Sequence, residues 1–494
     1  MPELREVRAL VGGKWLGAPT VPAVSPSTGE TFATVVHGDA ALADAAVRAA
    51  ADAAAAWAAT PPAGRAAHLA EIAGLVRARR DELARVLTRD QGKPLHTEAY
   101  DEVDELAEYF SMAAHDAERV AGSLPASVSA ARRVMVRRVP LGVVGVVSPW
   151  NWPYTMGAEL FAPAIAAGNT VVWVPAPTTS ACSGALAEIV AGSGLPAGVF
   201  NFVPGPGPVV GDAVVSHPLV AGVGFVGSVA TGTTVAARAA GKAQILELGG
   251  NGPMVVLADA DLDLAAHESL GAAFLCAGQS CTAGERFLVE RPAVAEYVER
   301  VVELTRAQVR LGDPFDAATT MGPLNNEPTA GKFDRHVADA VDHGARLCCG
   351  GRRAEGYPTT LFAEPTVLDS VTPDMLIARE ETFGPVVPVV EVASAAEALE
   401  LTNRSPYGLT AAVFTGDLER GLAFAEAARA GWVNVNASTN LWESHLPFGG
   451  RSGSASGRGR VGGRYVLDEL SEPKTIVFPA PGRLAPAGAN GLVP

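Results

Sequence analysis

Between residues 132 and 248 short apolar runs alternate with longer stretches whose apolar residues recur at helical spacing. The second half of 132–148, LGVVGVVS, is nearly continuous valine, and β-rich runs follow at 170–174, 199–203, 221–226 and 244–248. Helical patterns at 179–191, at 208–216 and from 231 separate them. Strands apolar on both faces that alternate with helices predict a parallel sheet, with ligands beyond the C-terminal strand ends. A second series starts near Gly252 with MVVLADAD, a helix at 263–276, FLVE, helices at 293–309 and 328–343, PTVLDSV, PVVPVVEV and AAVFTGD. It predicts a second α/β unit.

Ahead of these units, 39–58 and 62–90 are Ala-rich, and Leu69, Ile72, Leu75, Val76, Leu83 and Val86 fall at helical spacing. Gly92-Lys93-Pro94 breaks the run, and 96–119 reads as a strongly acidic helix. The first half of 132–148 alternates basic with apolar residues, as an exposed strand does. Glycine, serine and arginine dominate 445–464, which predicts a mobile loop; TIVFP (475–479) reads as a terminal strand and the remaining tail as irregular.

The 494 residues, 48% hydrophobic and 18% charged, suit a soluble globular chain of two or three packing units. A net charge of -15, from 38 basic and 53 acidic residues, opposes binding to nucleic acid or anionic membranes. Arg132, Arg133, Arg137 and Arg138 are the one dense basic run. MPELREVRAL lacks the features of a signal peptide, and no window offers ~18 uninterrupted apolar residues, so a cytoplasmic location is expected. Five cysteines without paired CxxC spacing predict free thiols rather than disulfides, and no metal site.

One of those thiols stands out. Cys281 follows Gly278-Gln279-Ser280 and is flanked by small residues that let a substrate approach the sulfur, although a lone cysteine is more often a buried small hydrophobe. Glu247, between two leucines and ahead of two glycines in LELGGNGP, has the type needed to activate water, and desolvation should raise its pKa. A salt-bridged acid at a strand end is the alternative. Asn151 sits among rigid and aromatic residues in SPWNWP, where an asparagine is otherwise a turn residue. No GxGxxG fingerprint occurs at a strand-to-helix turn; Gly227-Ser228 takes that place, after AGVGFV and before a helical stretch, where helix amides can meet a phosphate.

Six stretches in order, SPWNWP, GSVATG (227–232), ELGG (247–250), GQSC (278–281), EETFGP (380–385) and PFGG (447–450), together resemble the aldehyde dehydrogenase superfamily. The resemblance spans nearly the whole chain. It implies two Rossmann-like open α/β domains, cofactor-binding at 1–120 and 142–250 and catalytic at 251–461, with an oligomerisation arm and tail at 121–141 and 462–494. It also implies a homodimer or homotetramer, NAD or NADP as cofactor, and an aldehyde oxidised to a carboxylic acid. Cys281 would be the nucleophile, Glu247 the general base, and the Asn151 amide with the Cys281 N–H the oxyanion donors. Ser148, Pro149, Trp150, Val174, Gly207, Gly227, Ser228, Leu248, Glu381 and Phe383 would meet the cofactor. A non-catalytic binding protein and a CoA-acylating dehydrogenase stay open as alternatives.

Two departures from the family pattern bear on selectivity. Val174-Pro175-Ala176-Pro177 replaces Lys-Pro-Ser-Glu, so both charged anchors of the adenosine ribose are missing and NAD is not separated from NADP. Glu159-Leu160 stands where the family often has Trp-Lys. Glu159 and Trp152 are the candidate substrate residues. If the segment after Pro153 is helical, Thr155 and Glu159 share one face below Asn151, and an acid there would favour neutral or cationic aldehydes. Pairing of Glu159 with an arginine, or its exposure, is the competing expectation.

Overall fold

The computed structural model describes residues 4–480. The apolar runs between 143 and 248 form the centre of an eight-stranded sheet. Phe200–Phe202, Thr170–Val174, Val143–Val147, Val220–Gly227 and Ala243–Leu248 lie side by side and parallel in that spatial order. All of Thr170–Val174 is buried, as expected of a strand covered by helices on both faces. In chain order the strands read 3-2-1-4-5, so the winding reverses between Val143–Val147 and Val220–Gly227. Such a reversal opens a ligand crevice at the C-terminal strand ends. Ala9–Val11 and Lys14–Leu16 extend one edge antiparallel, and Gly457–Arg458 pairs with Leu246 and Glu247 at the other.

Six parallel strands form most of a second, seven-stranded sheet: Thr366–Asp369, Val386–Val392, Gly284–Glu290, Gly252–Val256, Thr410–Phe414 and Trp432–Val435. Arg346–Cys349 adds an antiparallel edge. A three-stranded sheet of Arg5–Val7, Thr31–Val36 and Pro19–Val24 lies near the N-terminus. The chain is thus α/β with two large open sheets, and Arg132–Pro140 pairs with Ser471–Pro479 over nine residues as a separate two-stranded arm. No helix among the described residues is long and apolar enough to cross a membrane.

Two expectations are corrected. The 62–90 stretch is two helices, Pro62–Ala78 and Arg80–Gln91, broken at Arg79 with φ -108° and ψ 22°. A one-residue break leaves the apolar spacing of both halves intact, so the pattern cannot signal it. Nor is 445–464 a free loop: Phe448 and Val461 are buried and exchange backbone hydrogen bonds of 2.9 and 2.8 Å. A Cβ on Gly457 would lie 1.9 Å from the Leu246 carbonyl oxygen, so at that position glycine serves close packing rather than mobility. The tail from residue 481 lies outside the described residues.

Gly92, in the left-handed conformation at φ 102°, ends helix Arg80–Gln91 and turns Lys93 inward. Lys93 Nζ donates to Glu102 Oε2 at 2.6 Å, with both side chains fully buried. Glu102 Oε1 in turn accepts the Tyr154 N–H at 2.9 Å and the Thr155 N–H at 3.4 Å, at the start of helix Thr155–Ala166. A buried pair with one partner removed strands an uncompensated charge. Lys93→Met should therefore cost about 3–5 kcal/mol in chemical denaturation, with part of it regained in Lys93→Met/Glu102→Gln. A loss under about 1 kcal/mol would show that the pair does not order this region.

Candidate active site

The chain leaves helix Leu262–Phe274 and reaches Cys281 through a left-handed turn: Cys276, Ala277 and Gly278 have φ of 52°, 53° and 74°. For the two non-glycine residues this costs about 1–2 kcal/mol each, so neighbours must impose it. The Cys276 N–H donates to Glu98 Oε1 at 3.1 Å, and Gln91 Nε2 donates to the Cys276 sulfur at 3.2 Å. Gln279 Nε2 donates to the Cys276 carbonyl at 2.7 Å, while Gln279 Oε1 accepts the Asn325 N–H at 2.8 Å. Glycines of two motifs allow the close contacts. A Cβ on Gly278 would lie 2.2 Å from the Gly384 carbonyl oxygen, and one on Gly250 would lie 2.2 Å from that of Cys281.

Cys281, Glu247, Asn151, Trp152 and Glu159 line one cavity of about 330 Å³. Cys281 is partly exposed, whereas Cys276 is buried and its thiol is pushed up to about 12, chiefly by burial. Glu247 is buried, no N–H or O–H group donates to its carboxylate, and the Cys281 thiol lies beside it. Burial raises its carboxyl to about 8, and the Cys281 thiol opposes the shift by hydrogen bonding. The Cys281 thiol is itself held well above its usual range by burial and by Glu247, so it ionises only if a base takes its proton. Asn151 Nδ2 donates to the Gln279 carbonyl at 3.0 Å, which aims the amide at this cavity.

Glu159 sits on helix Thr155–Ala166, 1% exposed, with no hydrogen-bond partner on either oxygen. It is neither paired with an arginine nor turned to solvent. Thr155 is also buried but does not line the cavity; Met156 does, together with Trp152 and Glu159.

A second cavity of about 320 Å³ opens at the reversal of the first sheet. Pro149, Trp150, Gly227, Ser228, Glu381 and Phe383 line it, with the Trp150 and Phe383 rings edge to face at 5.5 Å. Ser148, Val174, Gly207 and Leu248 do not line this cavity. They lie along the same sheet edge, where Ser148 follows Val143–Val147, Val174 and Leu248 end their strands, and Gly207 opens the turn after Phe200–Phe202. Lys332, Asn326 and Thr329 also line the cavity, and no sequence motif points to them. Buried Glu285 accepts the Thr382 and Phe383 N–H groups at 2.8 and 2.7 Å and so shapes the loop that carries Glu381.

The cavity suits a dinucleotide. Ser228 is exposed and caps helix Val229–Arg238 through the Thr231 N–H, so other first-turn amides can face a phosphate. A Cβ on Gly249 would lie 2.6 Å from Glu381 Oε1, so a side chain there would push the Glu381 carboxylate from its present place. Glu381 Oε1 accepts the Gly250 N–H at 2.9 Å. Asn151, Met156, Glu247 and Cys281 line both cavities, which therefore meet at the thiol.

A family model described as the aldehyde dehydrogenase family matches residues 15–476. The chain belongs to the aldehyde dehydrogenase family. It is 36% identical to 3-sulfolactaldehyde dehydrogenase of Pseudomonas putida over 96% of this chain and 97% of that one. It is 35% identical to the NADP(+) succinate-semialdehyde dehydrogenase of Escherichia coli K12, over 94% and 96%. A solved NAD-dependent aldehyde dehydrogenase from Sinorhizobium meliloti superposes with a TM-score of 0.93 at 37% identity, covering 98% and 96%. This aldehyde dehydrogenase uses NAD or NADP to oxidise an aldehyde.

Contact between Gly250 and the Cys281 carbonyl makes a simple prediction for the dehydrogenase. Gly250→Ala must displace the cysteine turn, and a shift near 1 Å costs about 100-fold in rate. Steady-state assays should show that loss in kcat/KM. Wild-type rates would mean that the two segments separate without consequence.

Proposed function

We propose that Cys281 is the nucleophile, Glu247 the base and Asn151 an oxyanion donor in oxidation of an aldehyde to a free acid. The observation that carries this reading is that two cavities of different character meet at these three side chains. The Cys281 thiol gives its proton up to solvent water, and its sulfur adds to the aldehyde carbon. The Asn151 amide and the Cys281 N–H, which donates to no described residue, stabilise the alkoxide; each such donor is worth about 3–4 kcal/mol. Bound NAD or NADP supplies the acceptor that takes hydride from the thiohemiacetal carbon. Glu247 then draws a proton from water, whose oxygen attacks the thioester, and the carboxylic acid leaves with the thiol restored. A buried, unpaired carboxylate beside the sulfur favours hydrolysis over acyl transfer to CoA.

For the cofactor, Ser148, Pro149, Trp150, Val174, Gly207, Gly227, Ser228, Leu248, Glu381 and Phe383 form the proposed contact set. The domain division is the one expected from the resemblance, with Gly457–Arg458 adding to the sheet of the cofactor domain. The arm of Arg132–Pro140 and Ser471–Pro479 is the proposed subunit contact in a homodimer or homotetramer. A two-stranded ribbon is marginal alone, and this one exposes Val477 and Phe478. The location proposed with this reading is cytoplasmic.

Because Glu247 acts only when ionised and burial holds it near 8, acid release should rise about tenfold per pH unit below that value and level off above it. Glu247→Gln should lose this limb and give a burst of reduced cofactor followed by slow turnover. A retained limb, or full steady turnover, would remove Glu247 from the mechanism. With no charged side chain at Val174 or Pro177, the preference between NAD and NADP should stay below about 100-fold in kcat/KM, or about 2.7 kcal/mol. A larger ratio in a two-cofactor assay would mean that another residue reads the ribose.

A further inference from the structure

The cavity on the substrate side of Cys281 opens at exposed Thr97 and Asp101 and is acidic throughout. Glu98, Asp101, Glu102, Glu105, Glu159 and Glu247 line it, and no lysine, arginine or histidine does. Asp101 and Glu105 are one turn apart on helix Tyr100–Ala117, on the face turned to the cavity. Lys93, behind the wall, compensates Glu102. Its ammonium also sits 4.0 Å from the centre of the Trp152 ring, so this wall already holds one cation between a carboxylate and an indole. Trp442 and Phe448, with ring centres 5.2 Å apart, supply further aromatic surface.

Glu159 is the telling residue. It is buried at the inner end with no cationic partner, the Tyr109 hydroxyl and the Gly462 N–H lie beside it without closing a well-formed hydrogen bond, and burial, Glu105 and Glu247 hold it well above the carboxylate range. Tyr109, also in contact with it, offers a hydroxyl but no positive charge. An unpartnered buried acid is costly, and a cationic guest would supply the missing partner. A metal ion is not the better candidate, because no group of His, Cys, Asp or Glu among the described residues is arranged to hold one. An aldehyde ending in a carboxylate would meet six acids and no cationic side chain along this path.

Building on the dehydrogenase reading, we propose that the substrates carry a positive charge at the end remote from the aldehyde. They are ω-aminoaldehydes or their quaternary ammonium counterparts. Asp101 and Glu105 draw the cation in, Glu159 is the buried acid that meets it inside the cavity, and the tryptophans pack on the ammonium or its methylenes.

The test compares kcat/KM for 4-(trimethylammonio)butanal, its neutral isostere 5,5-dimethylhexanal, and succinic semialdehyde. In the wild type the cation should lead the isostere by at least about tenfold, the scale of one partly screened charge pair, and the anion should be poorest. Asp101→Asn/Glu105→Gln and Glu159→Gln should each lower the cation-to-isostere ratio by about tenfold. The inference falls if the isostere or succinic semialdehyde is the best wild-type substrate, or if neither variant changes the ratio. In those cases the dehydrogenase reading stands. If none of the three aldehydes reduces NAD or NADP, both fall together.

Discussion

The active site depends on one steric contact: the backbone of Gly250 pressed against the carbonyl of Cys281. Gly249 and Gly250 lie between the end of the first sheet at Leu248 and the start of the second at Gly252. Cys281 lies just before the neighbouring strand Gly284–Glu290, and Gly252 and Gly284 are paired in register. The crossing between sheets therefore brings Glu247 to the thiol, and it can do so only while neither segment carries a side chain at the contact. Glu381 ties the same place to a third segment through the Gly250 N–H. A left-handed turn at Cys276 and Ala277 is strain that this packing holds in place.

Burial without pairing is the site's second theme. Neither Glu247 nor Glu159 has a cationic partner, and both carboxyls are pushed upward by desolvation. A carboxyl near 8 is a strong enough base to accept a proton from water or a thiol, which a solvated glutamate is not. The contrast with Glu102 is instructive. Placed on the same cavity wall, it is matched by Lys93 and by two backbone N–H groups, and it orders a helix start instead of moving protons.

Much of this was legible in the chain because the central strands are buried on both faces and read as unbroken apolar runs. The strands between residues 5 and 36 were not, since they are short, partly exposed and interrupted by prolines such as Pro19 and Pro22. Motif glycines pointed to close approach, yet the partners at Gly250 and Gly278 lie far away in sequence and emerge only on folding. Lys93, Glu285 and Lys332 carry no local pattern; tertiary packing alone gives them work. The glycine-rich stretch at 445–464 misled for a related reason, because composition does not distinguish a glycine needed for freedom from one needed for a tight contact. On helix Thr155–Ala166 the spacing placed Glu159 correctly, but the rotation of the helix turns Met156, not Thr155, toward the cavity.

The account's central claim is that carbon from the aldehyde becomes bonded to Cys281 and is released by Glu247. The most direct measurement is peptide mass spectrometry of Glu247→Gln quenched after mixing with aldehyde and oxidised cofactor. The account predicts one acyl group per subunit on the peptide bearing Cys281, formed only when cofactor is present. Acylation at Cys276, or the absence of any adduct while reduced cofactor accumulates, would contradict it.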